Sequence, residues 1–337
     1  YRELSARMES FLGERYPRPE SMQPETYRRT LRARAFDYSR YLLPLGTATS
    51  LGQIVSARTL EQQIVRLLSS PWSECAELGA ALKQAASAPG VVPTLVKYTE
   101  ISAYQLATRR ELSDAARELT GATAPDSAAG VFLAPPVALE VELAASLLYP
   151  HCHHSYRQLL DAVAALSAPR RDEIIELGRA SRGAHDDLLR PFQAGQPFQF
   201  DILMDTGGFR DLHRHRRCVQ LHQDHSARHG FDTPAEIADS GCGDDYTAAM
   251  QAAGSWAARN GAAGAYALPL GYRKRSLFKM DLAELAYIAE LRTGAGGHFS
   301  YRNAAWAMYD ALRQRHPALA RHLRVTDPSA PFDLLQR

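Results

Sequence analysis

One segment of the chain alternates apolar and polar residues, whereas most others repeat their apolar residues at helical spacing. In PFQFDILMD (197–205), Phe198, Phe200, Ile202 and Met204 alternate with mostly polar positions, as in a half-buried strand. Helical spacing recurs in 59–70, 75–86, 100–120, 170–190 and 281–292. The sequence therefore predicts a mostly helical protein with few strands, including short ones at YLLPL (41–45) and YALPL (266–270).

Charge and cysteine content narrow the class of protein. The formal net charge is only +2, which argues against nucleic-acid binding as the main role. The four cysteines form no CxxC pair, as expected for reduced thiols rather than a disulfide framework. No signal-peptide pattern and no apolar run of membrane-spanning length are present, so we expect a soluble cytoplasmic protein. Because the first residue is Tyr1 rather than Met, we expect a missing upstream segment.

The tetrapeptide LPLG occurs twice, at 43–46 and at 268–271, which is an offset of 225 residues. Each copy precedes an amphipathic helix and then a second helix, which indicates an internal repeat. The segment 121–136 (GATAPDSAAGVFLAPP) is rich in Gly, Pro and Ala without a period and is interpreted as a linker. The predicted organisation is an N-terminal lobe (1–120), this linker, and a C-terminal lobe (137–337).

Five of the 12 histidines lie in FRDLHRHRRCVQLHQDHSARHGF (209–231). A metal site is one interpretation, because His222 and His225 are three apart and HCHH (151–154) adds three more imidazoles. No ExxH pair or carboxylate cluster completes a ligand set, so no metal is predicted. The arginines suit phosphate groups, which guanidinium binds in bidentate fashion. The alternative is that they pair with carboxylates such as Asp211 or Asp224 on a solvated face.

The order of motifs resembles that of the flavin-dependent thymidylate synthases. RHR (214–216) is followed by SARH (226–229), then YALPL, then a helix ending at Leu291 and Arg292. The resemblance covers 139–320 as a whole domain and 34–86 as the carboxy-terminal half of another copy. It implies an α+β fold, helix-rich with a small antiparallel sheet, in two tandem lobes.

The resemblance also implies an activity. The family transfers a one-carbon unit from methylenetetrahydrofolate to a pyrimidine nucleotide such as dUMP, using FAD and NADPH. Two alternatives remain open: a diverged flavoenzyme acting on a different acceptor, and a non-catalytic nucleotide-binding or scaffold relative. Family members are homotetramers with sites between subunits, so a tandem chain is expected to form a homodimer that resembles the tetramer.

Site residues are carried over from the family position by position. Arg214 and Arg292 are the expected catalytic residues, and FAD is expected at His185, Arg214, His215 and Arg216. The nucleotide is expected at Arg40, Arg58, Ser226, Arg228, Arg292 and His298. Where the family has a phosphate-binding arginine before YALPL, this sequence has Ala265, whereas the first copy keeps Arg40. A site composed from both lobes is therefore predicted.

Three features have a structural explanation as well as a functional one. Gly207 and Gly208 offer backbone N–H groups for a phosphate, but a strand-to-helix turn also explains them. His298 suits either a nucleotide contact or a helix cap. Cys218 is predicted to be a small buried residue rather than a nucleophile, because no base is fixed beside it.

Overall fold

The computed structural model describes residues 1–88, 96–184 and 186–329. The helices of the amino-terminal half are α1 (Arg2–Arg15), α2 (Pro24–Ser39), α3 (Ala57–Leu68), α4 (Ser73–Ala86), α5 (Ala103–Thr120), α6 (Leu139–Leu148), α7 (Tyr156–Ala164) and α8 (Ala168–Leu177). Those that follow are α9 (Thr206–Leu212), α10 (Ala235–Ile237), α11 (Gly243–Arg259), α12 (Gly261–Gly264), α13 (Leu282–Arg292), α14 (Phe299–Arg315) and α15 (Pro317–Ala320). The strands are β1 (Gly130–Leu133), β2 (Phe198–Asp205), β3 (Val219–His222) and β4 (Arg273–Met280).

The four strands form one antiparallel sheet in the order β1-β2-β4-β3. β4 is the central partner, since Phe278 lies opposite Phe200 of β2 and Leu277 lies opposite Leu221 of β3. The helix-rich α+β fold with a small antiparallel sheet is confirmed.

Helices cover both faces of this sheet. Leu221 and Leu277 pack with α5 to α8 on one face, and Phe200 and Phe278 pack with α9, α13 and α14 on the other. Every residue of β2 is buried, so the prediction of a half-buried strand was wrong. Its polar positions are satisfied inside, as Asp201 accepts hydrogen bonds from Arg275 and from the Tyr149 hydroxyl.

The segment interpreted as a linker contains an edge strand. Gly130–Leu133 pairs along β2, with Val131 opposite Ile202, so the part of 121–136 that forms β1 belongs to the sheet. The sequence did not reveal this strand, because four residues inside a Gly/Pro-rich stretch are too few to show a clear alternation of apolar and polar side chains. The division into two lobes on either side stays a prediction.

The two LPLG segments pair with each other about a local twofold axis. Leu45 N donates to Leu268 O at 2.9 Å, and the counterpart bond from Leu270 N to Leu43 O is 2.8 Å. Gly46 N donates to Tyr266 O at 2.8 Å, and Gly271 N donates to Tyr41 O at 3.0 Å. Each bond maps onto its partner under the 225-residue offset, which supports the internal repeat at the level of backbone geometry.

The elements around LPLG also match. A 3₁₀ turn precedes each copy, at Arg40–Leu42 and at Ala265–Ala267, so the strands expected at 41–45 and 266–270 were wrong apart from one bridge between Pro44 and Pro269. Proline lacks the N–H that a longer ladder needs. Downstream, Ser56 caps α3 and its counterpart Asp281 caps α13. The first lobe is therefore the counterpart of the second from α2 to α4.

A third core joins the amino-terminal helices to α11, with Met8 of α1, Leu31 of α2 and Met250 of α11 among its buried members. All four cysteines are free thiols, as predicted.

No helix in the described parts of the chain combines the length and apolarity needed to cross a membrane.

Candidate functional site

The LPLG pair brings the first lobe next to α9. Leu270 O accepts from Gly207 N at 2.9 Å and Tyr272 O accepts from Thr206 N at 2.9 Å, which fixes the start of α9 against the second LPLG segment. The first LPLG segment, paired to the second, carries the 3₁₀ turn that begins at Arg40. Backbone hydrogen bonds between the two LPLG segments, and between the second segment and the start of α9, thus position Arg40 relative to α9.

Arg40 and Arg214 share one carboxylate. Arg40 Nη2 lies 3.9 Å from Asp211 Oδ2, and Arg214 Nη2 lies 3.7 Å from Asp211 Oδ1. The Arg40 side chain is only 14% exposed, and its Nε and Nη2 are buried without a hydrogen-bond acceptor among the described residues. Arg214 is 73% exposed. Arg40 and Arg214, which were predicted to contribute to one composite site, therefore lie beside the same carboxylate within one chain. That carboxylate, Asp211, is also the alternative partner that the sequence offered for the arginines.

His215 lies between a carboxylate and an arginine. Arg292 Nε donates to His215 Nε2 at 2.9 Å, and His215 Nδ1 lies 3.4 Å from Glu284 Oε1. Burial, with the neighbouring Arg292 cation, lowers the pKa of His215 to about 4. The ring is therefore neutral near pH 7, with its proton on Nδ1 facing Glu284.

This arrangement changes the role expected for His215. Its side chain is 3% exposed and both ring nitrogens face protein partners, so it orients Arg292 rather than presenting a free nitrogen to a ligand. Arg292 also lies over the Tyr301 ring, 5.3 Å from the centroid. His215 and Tyr301 together hold the predicted catalytic guanidinium in place.

His298 has a structural role. Its Nδ1 accepts from Ser300 N at 3.2 Å as the cap of α14, and its Nε2 donates to the Asp37 carbonyl at 3.0 Å. Burial lowers its pKa to about 3, so the ring is neutral. The ring also stacks on Phe299 at 4.1 Å. With both nitrogens occupied, the capping alternative accounts for His298.

The other predicted residues lie at the surface or outside the described chain. Arg216 and Arg228 are exposed, and Ser226 accepts from Arg228 N at 3.2 Å in a local turn. His185 lies outside the described residues.

Arg58 lines a separate cavity of about 660 Å³ between α3, α5 and residues 186–191. Three more arginines line it, namely Arg66, Arg109 and Arg190, and none of the four has an acceptor for its guanidinium among the described residues. Arg190 begins a 3₁₀ turn, Arg190–Phe192, that contacts β3, so this end of the cavity lies next to the sheet. Of the predicted site residues that the structure describes, only Arg58 lines this cavity.

The glycines at the start of α9 are not available to a phosphate. Gly207 N is bonded to Leu270 O, and Gly208 N donates to Asp205 Oδ1 at 2.7 Å. The strand-to-helix turn therefore explains both. Cys218 is 2% exposed, so its predicted burial is confirmed, and burial raises the pKa of its thiol to about 11.

Among the remaining histidines of 209–231, His229 is buried, His222 and His225 are half-buried, and His213 is exposed. His213 and His222 meet edge to face at 5.1 Å, and His225 Nε2 lies 3.0 Å from Lys274 Nζ. Burial lowers the pKa of His222 and of His225 to about 3 each. Within 1–88, 96–184 and 186–329, no group of three or more His, Cys, Asp or Glu side chains is arranged to hold a metal ion.

Two residues of the site had no role in the sequence-based prediction. Glu284 is the partner of His215, although as the third residue of α13 it had only the signature of a capped helix start. Asp211 was named only as a surface partner, yet it is 18% exposed and lies between two lobes. Its spacing of three from Arg214, just past the end of α9, was the available signal.

Comparison with known proteins adds relatives and one solved structure. The chain is 29% identical to a UPF0159 protein of Chlamydia muridarum, over 98% of this chain and 64% of that protein. It is 26% identical to a UPF0159 protein of Thermoplasma acidophilum, over 90% of this chain and 62% of that protein. The chain thus spans just under two thirds of the length of these relatives. A crystal structure of a UMP/dUMP methylase, PolB from Streptomyces cacaoi with bound 5-Br dUMP, aligns with 62% of this chain and 100% of its own, at 15% identity and a TM-score of 0.33.

The sequence pattern of the family described as thymidylate synthase complementing protein matches residues 142–318. This match covers just over half of the chain, including all of β2, β3, β4, the RHR turn and α13. The chain belongs to the thymidylate synthase complementing protein family.

Proposed function

We propose that the protein is a flavin-dependent nucleotide methyltransferase that transfers a one-carbon unit from methylenetetrahydrofolate to a pyrimidine nucleotide such as dUMP, with FAD and NADPH. Family membership supports the reaction class. The observation that carries the proposal is the pair Arg40 and Arg214 around Asp211, because one nearly buried guanidinium retains two nitrogens without acceptors beside an exposed one. A nucleotide phosphate would supply those acceptors.

The arginine-lined cavity fits a dinucleotide cofactor, whereas His215 does not fit the flavin contact expected of it. The arginine-lined cavity at Arg58 has the volume usual for cofactor sites and offers guanidinium groups for a pyrophosphate. His215 does not fit the direct flavin contact expected of it, because its ring is enclosed. We therefore assign FAD to the cavity lined by Arg58, Arg66, Arg109 and Arg190. When bound, reduced flavin supplies the hydride for the transferred carbon.

In this proposal the chain's own residues bind and polarise the nucleotide. Arg40 and Arg214 take the phosphate, with Asp211 holding both guanidinium groups in the unliganded state. Arg292, fixed by His215 and Tyr301, faces the pyrimidine and stabilises negative charge that develops on a ring carbonyl during methylation. Neutral His215 suits this role, because a second cation beside Arg292 would repel it and displace the guanidinium.

The test is nucleotide-dependent turnover with paired arginine variants. Purified protein with FAD, NADPH and methylenetetrahydrofolate is expected to methylate dUMP, detected as dTMP by chromatography. Arg214→Ala should weaken dUMP by about ten- to a hundred-fold, the equivalent of one charge-assisted hydrogen bond of about 1.5–3 kcal/mol. Arg210→Ala, which changes an exposed arginine of α9 four residues earlier, is the matched control and should retain turnover.

The outcomes separate the alternatives. Flavin binding without dUMP methylation would favour a flavoenzyme with a different acceptor. A protein that takes up neither flavin nor dUMP would favour a scaffold. Equal loss in Arg214→Ala and Arg210→Ala would contradict the assignment of Arg214.

A further inference from the structure

Another cavity lies between α14 and the edge of the sheet formed by β1 and β2. Its volume is about 540 Å³, within the range usual for small-molecule sites. Four of its lining residues repeat at helical spacing on one face of α14, namely Ser300, Asn303, Ala304 and Ala307. Because these side chains are small, α14 leaves an open space beside the two strands. The rise of a helix puts Ser300 and Ala307 roughly 10 Å apart along this space.

The end of this cavity next to Asp205 is acidic. Asp205 is 1% exposed, and its carboxylate accepts hydrogen bonds from Gly208 N at 2.7 Å and from the Ser300 hydroxyl. Within the described ranges of the chain, no Lys, Arg or His side chain pairs with this carboxylate. Arg273, which also lines the cavity, pairs with Asp232 at 2.6 Å instead. Burial and the charge of Asp232 raise the pKa of Asp205 to about 6, so the carboxyl group is mostly ionised at pH 7.5.

The hydroxyl group of Tyr41 lies at the same end. Tyr41 is fully buried and lines the cavity, with its hydroxyl close to Asp205 and Ser300. Among the described residues, this hydroxyl makes no hydrogen bond of normal geometry. Burial and the charge of Asp205 hold the pKa of Tyr41 well above its usual range, so the phenol keeps its proton and can also accept a hydrogen bond. A buried hydroxyl without a partner is costly, which indicates that a ligand supplies one.

These groups select a cation with several N–H donors. The carboxylate of Asp205 retains lone pairs after its two hydrogen bonds, and the hydroxyl oxygens of Tyr41 and Ser300 are further acceptors. A buried negative charge without a cation is unfavourable, so a positive ligand is preferred at this end. The rest of the lining is largely apolar, including Val131, Ile202, Met204, Phe299, Ala304 and Ala307. Such a lining suits a hydrocarbon chain better than the hydration shell of a bare metal ion.

We propose that this cavity binds a primary alkylamine in its protonated form. The ammonium group donates to Asp205, Tyr41 and Ser300, and the alkyl chain lies along Ala304 and Ala307. The alternative is that Asp205 only caps α9 and tethers α14. That role accounts for its two hydrogen bonds, but it explains neither the cavity nor the unpartnered hydroxyl of Tyr41. The proposal does not depend on the activity proposed above.

Calorimetry of hexylammonium binding to the purified protein at pH 7.5 tests the proposal. Hexan-1-ol and hexanoate are matched probes with the same chain and with no charge or the opposite charge. We expect hexylammonium to bind at least about ten-fold more tightly than hexan-1-ol, because its hydrogen bonds are charge-assisted, and hexanoate to show no binding. Equal affinity for hexylammonium and hexan-1-ol, or no binding of hexylammonium, would overturn the proposal.

Two variants test the acidic end. Asp205→Asn removes the charge but keeps an acceptor for Gly208 N, so it should weaken hexylammonium binding by about ten- to a hundred-fold and leave hexan-1-ol binding unchanged. Tyr41→Phe keeps the packed ring and should weaken hexylammonium binding by about three- to ten-fold. Asp244→Asn, which changes an exposed carboxylate of α11, is the matched control. Wild-type affinity in Asp205→Asn would show that Asp205 only caps the helix. If that variant does not fold, wild-type affinity in Tyr41→Phe would reject the site.

Ala307→Leu tests the position of the alkyl chain. In wild type, each methylene added from butylammonium to hexylammonium should strengthen binding by about two- to four-fold. Leucine at position 307 fills the apolar end, so this gain should disappear while butylammonium still binds. A gain that persists in Ala307→Leu would contradict the proposed position of the chain along α14.

Discussion

The first and second copies of the LPLG unit share a backbone and differ in what surrounds it. Both have a 3₁₀ turn, a proline at the twofold axis, ten residues (47–56 or 272–281) and a capped helix. In the second copy the ten residues are the centre of a buried sheet, and in the first they lie in solvent. Local sequence thus sets the turns and caps, whereas the strand depends on partners far away in the chain.

The two copies also divide the site residues. Arg40 and Arg58 of the first correspond to Ala265 and Ala283 of the second, whereas Arg292 has Leu67 as its counterpart. Arg40 and Arg214 both lie beside Asp211, so the cluster keeps two arginines although residue 265 is alanine. A fused repeat allows such a division, since each copy no longer has to carry a full site.

The largest effect is expected from Leu277→Ala in β4 compared with Leu51→Ala in the first copy. Leu277 is fully buried, so its truncation should cost about 2–5 kcal/mol of unfolding free energy. Leu51 is 88% exposed, and its truncation in the 337-residue chain should change that free energy by less than about 0.5 kcal/mol. Urea denaturation measures both, and equal losses would remove the contrast between the two segments.

Arg40→Ala should weaken the binding of an anionic nucleotide by about 1.5–3 kcal/mol while flavin stays bound. The reason is that its two unsatisfied nitrogens lie beside Asp211, and Arg40 does not line the cavity assigned to FAD. Ala265→Arg is the matched variant in the other copy, and calorimetry should show no gain in dUMP affinity. Unchanged dUMP binding in Arg40→Ala would count against the composite site.

Acid should destabilise the protein through histidines that the first copy lacks. His298, whose counterpart is Ser73, has a folded pKa of about 3 against 6.5 when unfolded, so the unfolded state binds the extra proton between these values. Unfolding free energy should therefore fall as the pH drops below 6.5, by about 2 kcal/mol at pH 5 for this group. Asp205 has a folded pKa of about 6, so its carboxyl group takes up a proton in the folded state before it does in the unfolded state. This group therefore raises the unfolding free energy as the pH falls from 6 towards 4.

His298→Gln isolates this contribution. Its stability should decline less between pH 6.5 and pH 5 than that of wild type, as measured by thermal melts across the range. His316→Gln, which changes an exposed histidine, serves as the control and should follow wild type. Parallel pH profiles for His298→Gln and wild type would exclude the role assigned to this ring.

The smallest effects are expected at the two helix caps. Ser56 Oγ accepts from Thr59 N at 3.2 Å and Asp281 Oδ1 accepts from Glu284 N at 2.8 Å, so alanine at either should cost about 1 kcal/mol. Asp281→Ala should cost slightly more, because it also loses a partly exposed ion pair with Arg217. Thermal melts of both variants show which substitution destabilises the protein more. A larger loss of stability in Ser56→Ala than in Asp281→Ala would contradict the expected order.

Periodicity and short motifs predicted much of the fold. β2, the LPLG repeat and the helices of 59–70, 75–86, 100–120 and 281–292 depend on residues close in sequence, so one sequence was enough to find them. The helix expected over 170–190 was wrong beyond Leu177, where α8 ends. β1, β3 and β4 were not assigned, because four to eight residues of strand amid basic or Gly/Pro-rich sequence carry little alternation. Their strand character comes from pairing along β2 and β4.

The sequence by itself determined the capped helices, the LPLG repeat and the basic character of the RHR segment, since each follows from a few adjacent side chains. Only the tertiary structure decided that His215 turns inward to hold Arg292, that His298 caps a helix, and that Arg40 reaches Asp211 from the other lobe. It also gave 47–56 and 272–281 different environments. Burial and pairing between distant segments set these outcomes, and neither is encoded in any local stretch of residues.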